Sequence, residues 1–124
     1  PENPEVVDVF ELVMNGQEVF KFAVRSVPEA IQEVMSQKML AKEDVDYYIL
    51  HQANRRIVES VAKRLGEPIE KFPMNLEEYG NTSSASIPLL LDELYRSGKL
   101  SKGSRLIMAG FGAGLSWGAS YVTV

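Results

Sequence analysis

The chain has 124 residues, a length that suits one domain and is too short for two. Of these residues 45% are hydrophobic and 24% charged, a composition typical of a globular protein. Its 13 basic and 17 acidic residues give a net charge of −4, which does not favour a nucleic-acid partner. With no cysteine and a single histidine, it excludes a cysteine nucleophile, a disulfide framework and a multi-histidine metal site. No secretory leader and no apolar run near the ~18 residues of a membrane span are present, so we expect a cytoplasmic protein that binds no membrane. Because the chain starts at Pro1 rather than at a methionine, we expect a fragment or a processed product.

Hydrophobic periodicity predicts helices that alternate with strands along the chain. The predicted helices are residues 17–38, 53–65 and 84–97, and the predicted strands are residues 9–14, 47–50, 105–109 and 116–124, with one further short strand near 72–75. Pro28 is expected to kink the first helix or to start a second one, while Gly66 and Gly98 close the two later helices. This β-α-β-α-β-α-β-β order predicts an α/β fold with a mainly parallel five-stranded sheet, helices on its faces and one antiparallel edge.

Polar or glycine-rich segments stand where the strands of such a sheet end. Residues 51–54 follow the second strand, residues 80–84 precede the third helix, and residues 110–114 follow the penultimate strand, at intervals of about thirty residues. Ligands of open α/β sheets bind beyond the carboxyl ends of the strands. We therefore expect these three segments to converge on one pocket.

Each segment has a structural and a functional interpretation. A lone histidine such as His51 is most often a residue with a satisfied hydrogen bond, yet it can act as a general base or donate an N–H to an oxyanion. Asn81 suits a turn and helix N-cap as well as an anion-facing donor. The glycines of 110–114 suit a hairpin or a backbone that approaches a ligand closely. The basic residues of the first two helices suit a solvated face or a docking patch for an acidic partner.

Three blocks of sequence together resemble β-ketoacyl-acyl carrier protein synthase III, the thiolase-like condensing enzyme that initiates fatty acid synthesis. They are HQANRRI at 51–57, YGNTSSAS at 79–86 and GFGAGLSWG at 110–118. The resemblance runs from about Gly16 onward and corresponds to the C-terminal half of such an enzyme, as one domain over residues 1–124. It implies a decarboxylative Claisen condensation between a short acyl-coenzyme A and a malonyl-acyl carrier protein.

The resemblance also implies roles for individual residues. His51 and Asn81 match the catalytic pair that donates hydrogen bonds to the malonyl-derived enolate, the Ala113 amide matches an oxyanion donor, and Phe111 matches a wall of the active site. Residues matching the pantetheine channel are Phe20, Ala53 and Asn54. Residues matching the surface that receives the acidic carrier protein are Lys21, Arg56, Lys63 and Arg64. No metal or other cofactor is implied; the expected partners are the carrier protein, coenzyme A thioesters, the N-terminal half and, in the complete enzyme, a second subunit of a homodimer.

The sequence departs from the family in one respect, because it contains no cysteine to form the acyl-enzyme. We therefore expect this chain alone to be inactive and a cysteine-bearing N-terminal half to complete it. Two alternatives remain open at this point. One is a non-catalytic thiolase-like module that binds acyl carrier protein or coenzyme A. The other is a related acyltransferase of the polyketide or hydroxymethylglutaryl type, which the amino-acid sequences of the first two blocks disfavour.

Overall fold

The structure, a computed structural model, describes residues 16–51, 55–75, 86–112 and 116–124. The helices are α1 (Gly16–Gln37), α2 (Arg55–Leu65) and α3 (Ser86–Arg96), and the strands are β1 (Tyr47–Leu50), β2 (Arg105–Gly112) and β3 (Ser116–Thr123). Short 3₁₀ turns at Lys42–Asp44 and Ile69–Lys71 precede β1 and follow α2. Within the described ranges, the three helices and these strands confirm the alternating α/β order that the periodicity predicts.

The described strands form a mixed sheet in the order β1-β2-β3. β1 and β2 are parallel, with Leu50 opposite Ala109, whereas β2 and β3 are antiparallel neighbours in a hairpin. The parallel pairing across a helical crossover and the antiparallel edge are both as predicted. Consequently β1 and β2 end at the same edge of the sheet, which is where His51 lies.

Each face of the sheet carries its own core, because side chains alternate along a strand. The face covered by α1 and α2 buries the strand residues Tyr48, Leu50, Ile107 and Ala109. The opposite face buries Ile49 and Leu106, which pack against Leu90 and Leu94 of α3. This three-layer arrangement explains the near-continuous apolar run of β1, which is covered on both sides.

Tyr48 joins the end of α2 to β1. Its ring stacks on Phe72 with the ring centres 4.6 Å apart, and its hydroxyl donates a 2.6 Å hydrogen bond to a Glu67 carboxylate oxygen. Lys71 Nζ lies 3.2 Å from the same oxygen. Burial, followed by the hydrogen bond and the charge of Glu67, raises the pKa of the Tyr48 hydroxyl, so Tyr48 remains a neutral donor. These contacts hold the strand that His51 follows.

Helix α1 continues through Pro28 as one element, so the expectation of a second helix starting there is wrong. A proline inside a helix loses one backbone hydrogen bond and costs about 3 kcal/mol. Ala23, Val27 and Ile31 lie on both sides of Pro28 and are buried against the sheet. Their burial on either side of the proline offsets that cost and keeps the helix continuous.

The predicted five-stranded sheet is only partly found, since three strands occur within the described residues. The expected strand at 9–14 lies outside them. The expected strand at 72–75 is wrong, because this segment follows a 3₁₀ turn and has no strand assignment. Pro73 has no N–H for a strand ladder, and side chains hold the segment instead, with Asn75 Nδ2 3.5 Å from Glu93 Oε2.

Strand β2 runs three residues beyond its predicted end at 109. Residues 110–112 of the glycine-rich segment are therefore strand rather than turn, with Gly110 opposite Gly118 and Phe111 opposite Trp117. Gly110 is not among the described glycines with positive φ. Backbone conformation therefore does not require glycine at this position.

Candidate active site

His51 directly follows β1 and extends its pairing with β2. Its backbone N–H donates a 3.0 Å hydrogen bond to the Ala109 carbonyl, which continues the parallel ladder by one residue. Because Leu50 faces α1 and α2, the alternation of side chains directs His51 towards the α3 face. The half-buried imidazole therefore stands at the carboxyl edge of the sheet, as the sequence predicts for this segment.

Two neighbours lie close to His51 on this face. A β-carbon placed on Gly110 would be 3.8 Å from His51 Cβ and 3.8 Å from Ile87 Cδ1. These are ordinary van der Waals distances, so His51 and Ile87 both lie beside Gly110 of β2. The proximity of Ile87 and Gly110 to His51 was not predicted from the sequence. The position of Ile87 at the start of the helix after the YGNTSSAS block is the signal that would have indicated it.

Burial lowers the pKa of the His51 imidazole below its ordinary value of 6.5, because desolvation disfavours the cation. At neutral pH the imidazole is therefore neutral, with one N–H donor and one acceptor nitrogen. A neutral imidazole can donate its N–H to a developing oxyanion, and its protonation state does not have to change.

Several predicted site residues cannot be compared with this geometry. Ala53, Asn54, Asn81 and Ala113 lie outside the described residues. Phe111 has its backbone in β2, opposite Trp117, but the position of its side chain is also outside the described part of the chain. The sequence places Asn81 five residues before Ser86, where the described part of α3 begins.

A second group of predicted residues meets between α1 and α2. The Arg56 guanidinium carbon lies 4.8 Å from the centre of the Phe20 ring. Phe20, Arg56 and Lys63 line one shallow pocket of about 190 Å³, together with Glu59 and Ser60. The structure therefore brings a predicted channel residue together with two predicted docking residues.

The other two predicted docking residues, Lys21 and Arg64, are exposed on the same helices. Lys21 follows Phe20 on α1, and Arg64 follows Lys63 in the last turn of α2. Arg55 Nη1 lies 3.8 Å from Glu59 Oε2, an i,i+4 pair at the start of α2. The sequence places Glu59 on the same helix as these basic residues, and its four-residue spacing from Arg55 is typical of such an ion pair.

We also searched the described residues for a metal site and for a membrane-spanning helix. Among them, no three histidine or acidic side chains come close enough together to hold a metal ion. None of the helices seen there has the length and apolar character required to cross a bilayer.

The layered α/β fold with an imidazole at its carboxyl edge is that of the thiolase-like class. It superimposes on β-ketoacyl-[acyl carrier protein] synthase III from Thermus thermophilus with a TM-score of 0.85 and 45% identity, covering 90% of this chain and 35% of that one. It is equally similar to 3-oxoacyl-[acyl-carrier-protein] synthase III from Aquifex aeolicus VF5, with a TM-score of 0.87, 43% identity and coverage of 90% and 36%.

The chain belongs to the family described as 3-oxoacyl-[acyl-carrier-protein (ACP)] synthase III C terminal, which it matches over residues 35–124. It is 54% identical over 111 residues to the β-ketoacyl-[acyl-carrier-protein] synthase III of Synechocystis sp., covering 90% of this chain and 34% of that protein. It is 52% identical over 108 residues to the same enzyme of Pyropia yezoensis, with coverage of 87% and 33%. The chain thus spans about a third of the length of the curated relatives it matches.

Proposed function

We propose that this chain is the C-terminal part of a cytoplasmic β-ketoacyl-acyl carrier protein synthase III. The complete enzyme would condense a short acyl-coenzyme A with malonyl-acyl carrier protein and release carbon dioxide. The observation that carries the proposal is the half-buried, neutral imidazole of His51 at the carboxyl edge of the sheet, in a chain that belongs to this family. No resident cofactor is required, because both reactants are substrates.

The reaction needs a nucleophile that this chain does not contain. A cysteine in the N-terminal part would take the acyl group from coenzyme A. Loss of carbon dioxide from the malonyl thioester then leaves an enolate, whose carbon attacks the acyl-cysteine. His51 and Asn81 would each donate one N–H to the enolate oxygen, and a preorganised donor of this kind is worth roughly 2.7–4 kcal/mol.

The other predicted residues take supporting roles in this proposal. The Ala113 amide would donate to the oxyanion of the acyl-transfer step, and Phe111 would form a wall beside the cysteine. Pantetheine would pass Phe20, Ala53 and Asn54. The acidic carrier protein would dock on Lys21, Arg56, Lys63 and Arg64, of which Arg56 and Lys63 share a pocket with Phe20. The complete enzyme would be a homodimer.

His51→Ala and Asn81→Ala in the complete enzyme test this assignment. Each change is expected to slow malonyl decarboxylation and condensation by about 10²–10³-fold, because one oxyanion donor is lost. Acyl transfer onto the cysteine, followed separately with labelled acyl-coenzyme A, should be nearly unchanged. Ser120→Ala, an exposed change on β3, is the matched control. Full condensation activity in either alanine variant would refute the roles of His51 and Asn81.

A second candidate has one observation in its favour. The priming β-ketosynthase of the R1128 polyketide pathway is 41% identical to this chain, with a TM-score of 0.83. A polyketide-priming function would keep the same condensation chemistry and change the acyl group or the carrier protein. Turnover of the complete enzyme with a panel of acyl-coenzyme A primers and two carrier proteins separates the candidates. Binding of carrier protein without any turnover would instead favour a non-catalytic module.

A further inference from the structure

Phe20 and Arg56 form a contact that joins the two basic helices. Phe20 lies in α1 and is half-buried against the main core, so its ring has a fixed support. The Arg56 guanidinium carbon lies 4.8 Å from the ring centre, within the range of a cation–π interaction. Arg56 itself is exposed at the start of α2. A long, otherwise mobile side chain is thereby held against a rigid ring.

The neighbouring Arg55 offers a contrast within the same helix turn. Its guanidinium is paired with Glu59 at 3.8 Å, and both side chains are about half exposed. An arginine that is held through its flat face keeps its in-plane N–H groups for a second partner, because the ring uses only the π face. Of these two arginines, Arg56 is thus the one whose position is set by an uncharged support.

The pocket beside this contact has the chemistry of a carboxylate receptor. Arg56 and Lys63 are separated by about two turns of α2 and line the pocket together with Phe20. Among the described lining residues, the acidic one is Glu59. Lys21 follows Phe20 on α1 at the exposed surface. A pocket with this balance of charge favours an acidic protein surface over a basic one.

We propose that Phe20 is a positioning residue whose ring holds Arg56 at this pocket, ready to pair with a carboxylate of the acidic carrier protein. The inference rests on the proposed function and deepens it, because it assigns to Phe20 a role in carrier-protein recognition that is distinct from lining the pantetheine channel. Holding the guanidinium in place reduces the conformational freedom that docking must remove, so the ring strengthens binding without touching the partner.

The test compares two substrates that share pantetheine but differ in the acidic protein. In the complete enzyme, Phe20→Leu is expected to raise KM for malonyl-carrier protein and Kd for the carrier protein about three- to tenfold. Its KM for acyl-coenzyme A, which depends on the channel role of Phe20 alone, is expected to rise less than its KM for malonyl-carrier protein. Phe20→Tyr keeps the ring and should restore both carrier-protein constants. Arg55→Ala, which removes the arginine paired with Glu59, is the matched control and should have a smaller effect than Arg56→Ala.

A double-mutant cycle separates positioning from direct contact. If Phe20 acts through Arg56, the Phe20→Leu/Arg56→Ala variant binds carrier protein no more weakly than Arg56→Ala alone. Additive losses, or an equal rise in KM for acyl-coenzyme A and malonyl-carrier protein, would overturn the positioning role and leave Phe20 as a channel residue. If the unmodified complete enzyme bound carrier protein but performed no condensation, the proposed function would be refuted and the positioning role of Phe20 would not. Thermal unfolding of each variant verifies that the fold is retained.

Discussion

The protonation of His51 follows from its burial, which gives a test of the site at the scale of one residue. We expect its imidazole to titrate with a midpoint below 6.5, because desolvation penalises the cation and lowers the pKa. Measurement of the ring proton chemical shifts against pH by NMR checks this directly. Comparison with a His51→Gln variant assigns the signal in the complete protein. A midpoint at or above 6.5 would contradict the described environment.

The same shift has a consequence for stability. When the folded pKa is lower than the unfolded one, the unfolded state binds the proton first as the pH falls. The free energy of unfolding should therefore be highest above the unfolded pKa of about 6.5 and should decrease as the pH falls towards the folded pKa. Urea unfolding of the wild type and of His51→Gln at matched pH isolates this contribution, because the other titrating groups are common to both.

At the scale of the element, two helices end at glycines with positive φ. Gly66 after α2 has φ of 70°, and Gly98 after α3 has φ of 78°. We expect Gly98→Ala to lower the free energy of unfolding by about 1–2 kcal/mol, since the left-handed conformation is costly for a residue with a β-carbon. At Gly66 the new β-carbon would meet only the flexible tip of Lys42, at 2.9 Å, so the backbone cost dominates there too.

Gly118 provides the matched control for these changes. It lies in β3, has no positive φ, and a β-carbon there would have nothing within 4 Å. Gly118→Ala should therefore leave the free energy of unfolding unchanged or raise it slightly. Chemical denaturation of the three variants measures the difference. Equal losses at all three positions would show that the helix-ending conformation is not the cause.

The elements that the sequence predicted correctly are those whose signal is local. The apolar run of β1, the amphipathic stripe of α2 and its closing Gly66 depend on residues close together in the chain. The second helix considered at Pro28 and the strand expected at 72–75 were not found, and packing decides the outcome at both positions. Neither the burial around Pro28 nor the Asn75–Glu93 contact can be inferred from neighbouring residues alone.

The same distinction applies to the candidate site. The place of His51 at the end of a buried strand follows from strand order, and it was predicted. The approach of Ile87 and Gly110 to His51, and of Arg56 to Phe20, depends on how whole elements pack. No periodicity or spacing in a single sequence carries that information. The role of Asn81 stays a prediction.

At the scale of the whole molecule, the described residues include exposed apolar side chains on the α3 side of the sheet. Val122 of β3 is opposite Leu106 and so shares the α3 face, yet it is 36% exposed. On α3 itself Tyr95 is 70% exposed and Leu91 is half-buried. In the proposed complete enzyme, this apolar surface is where we expect the N-terminal half to pack.

Because burial of this surface is favourable at roughly 25 cal/mol per Å², we expect residues 1–124 produced alone to self-associate through it. Sedimentation velocity over a range of concentrations should show dimers or larger species. Tyr95→Lys combined with Val122→Lys should shift the distribution towards monomer, because charges at these positions oppose burial. Met39→Lys is the control, since Met39 is 90% exposed but lies in the turn after α1, away from the α3 face. A monodisperse, folded monomer of the unmodified chain at every concentration would refute the expected interface, since an apolar face that requires a partner domain does not stay free in water.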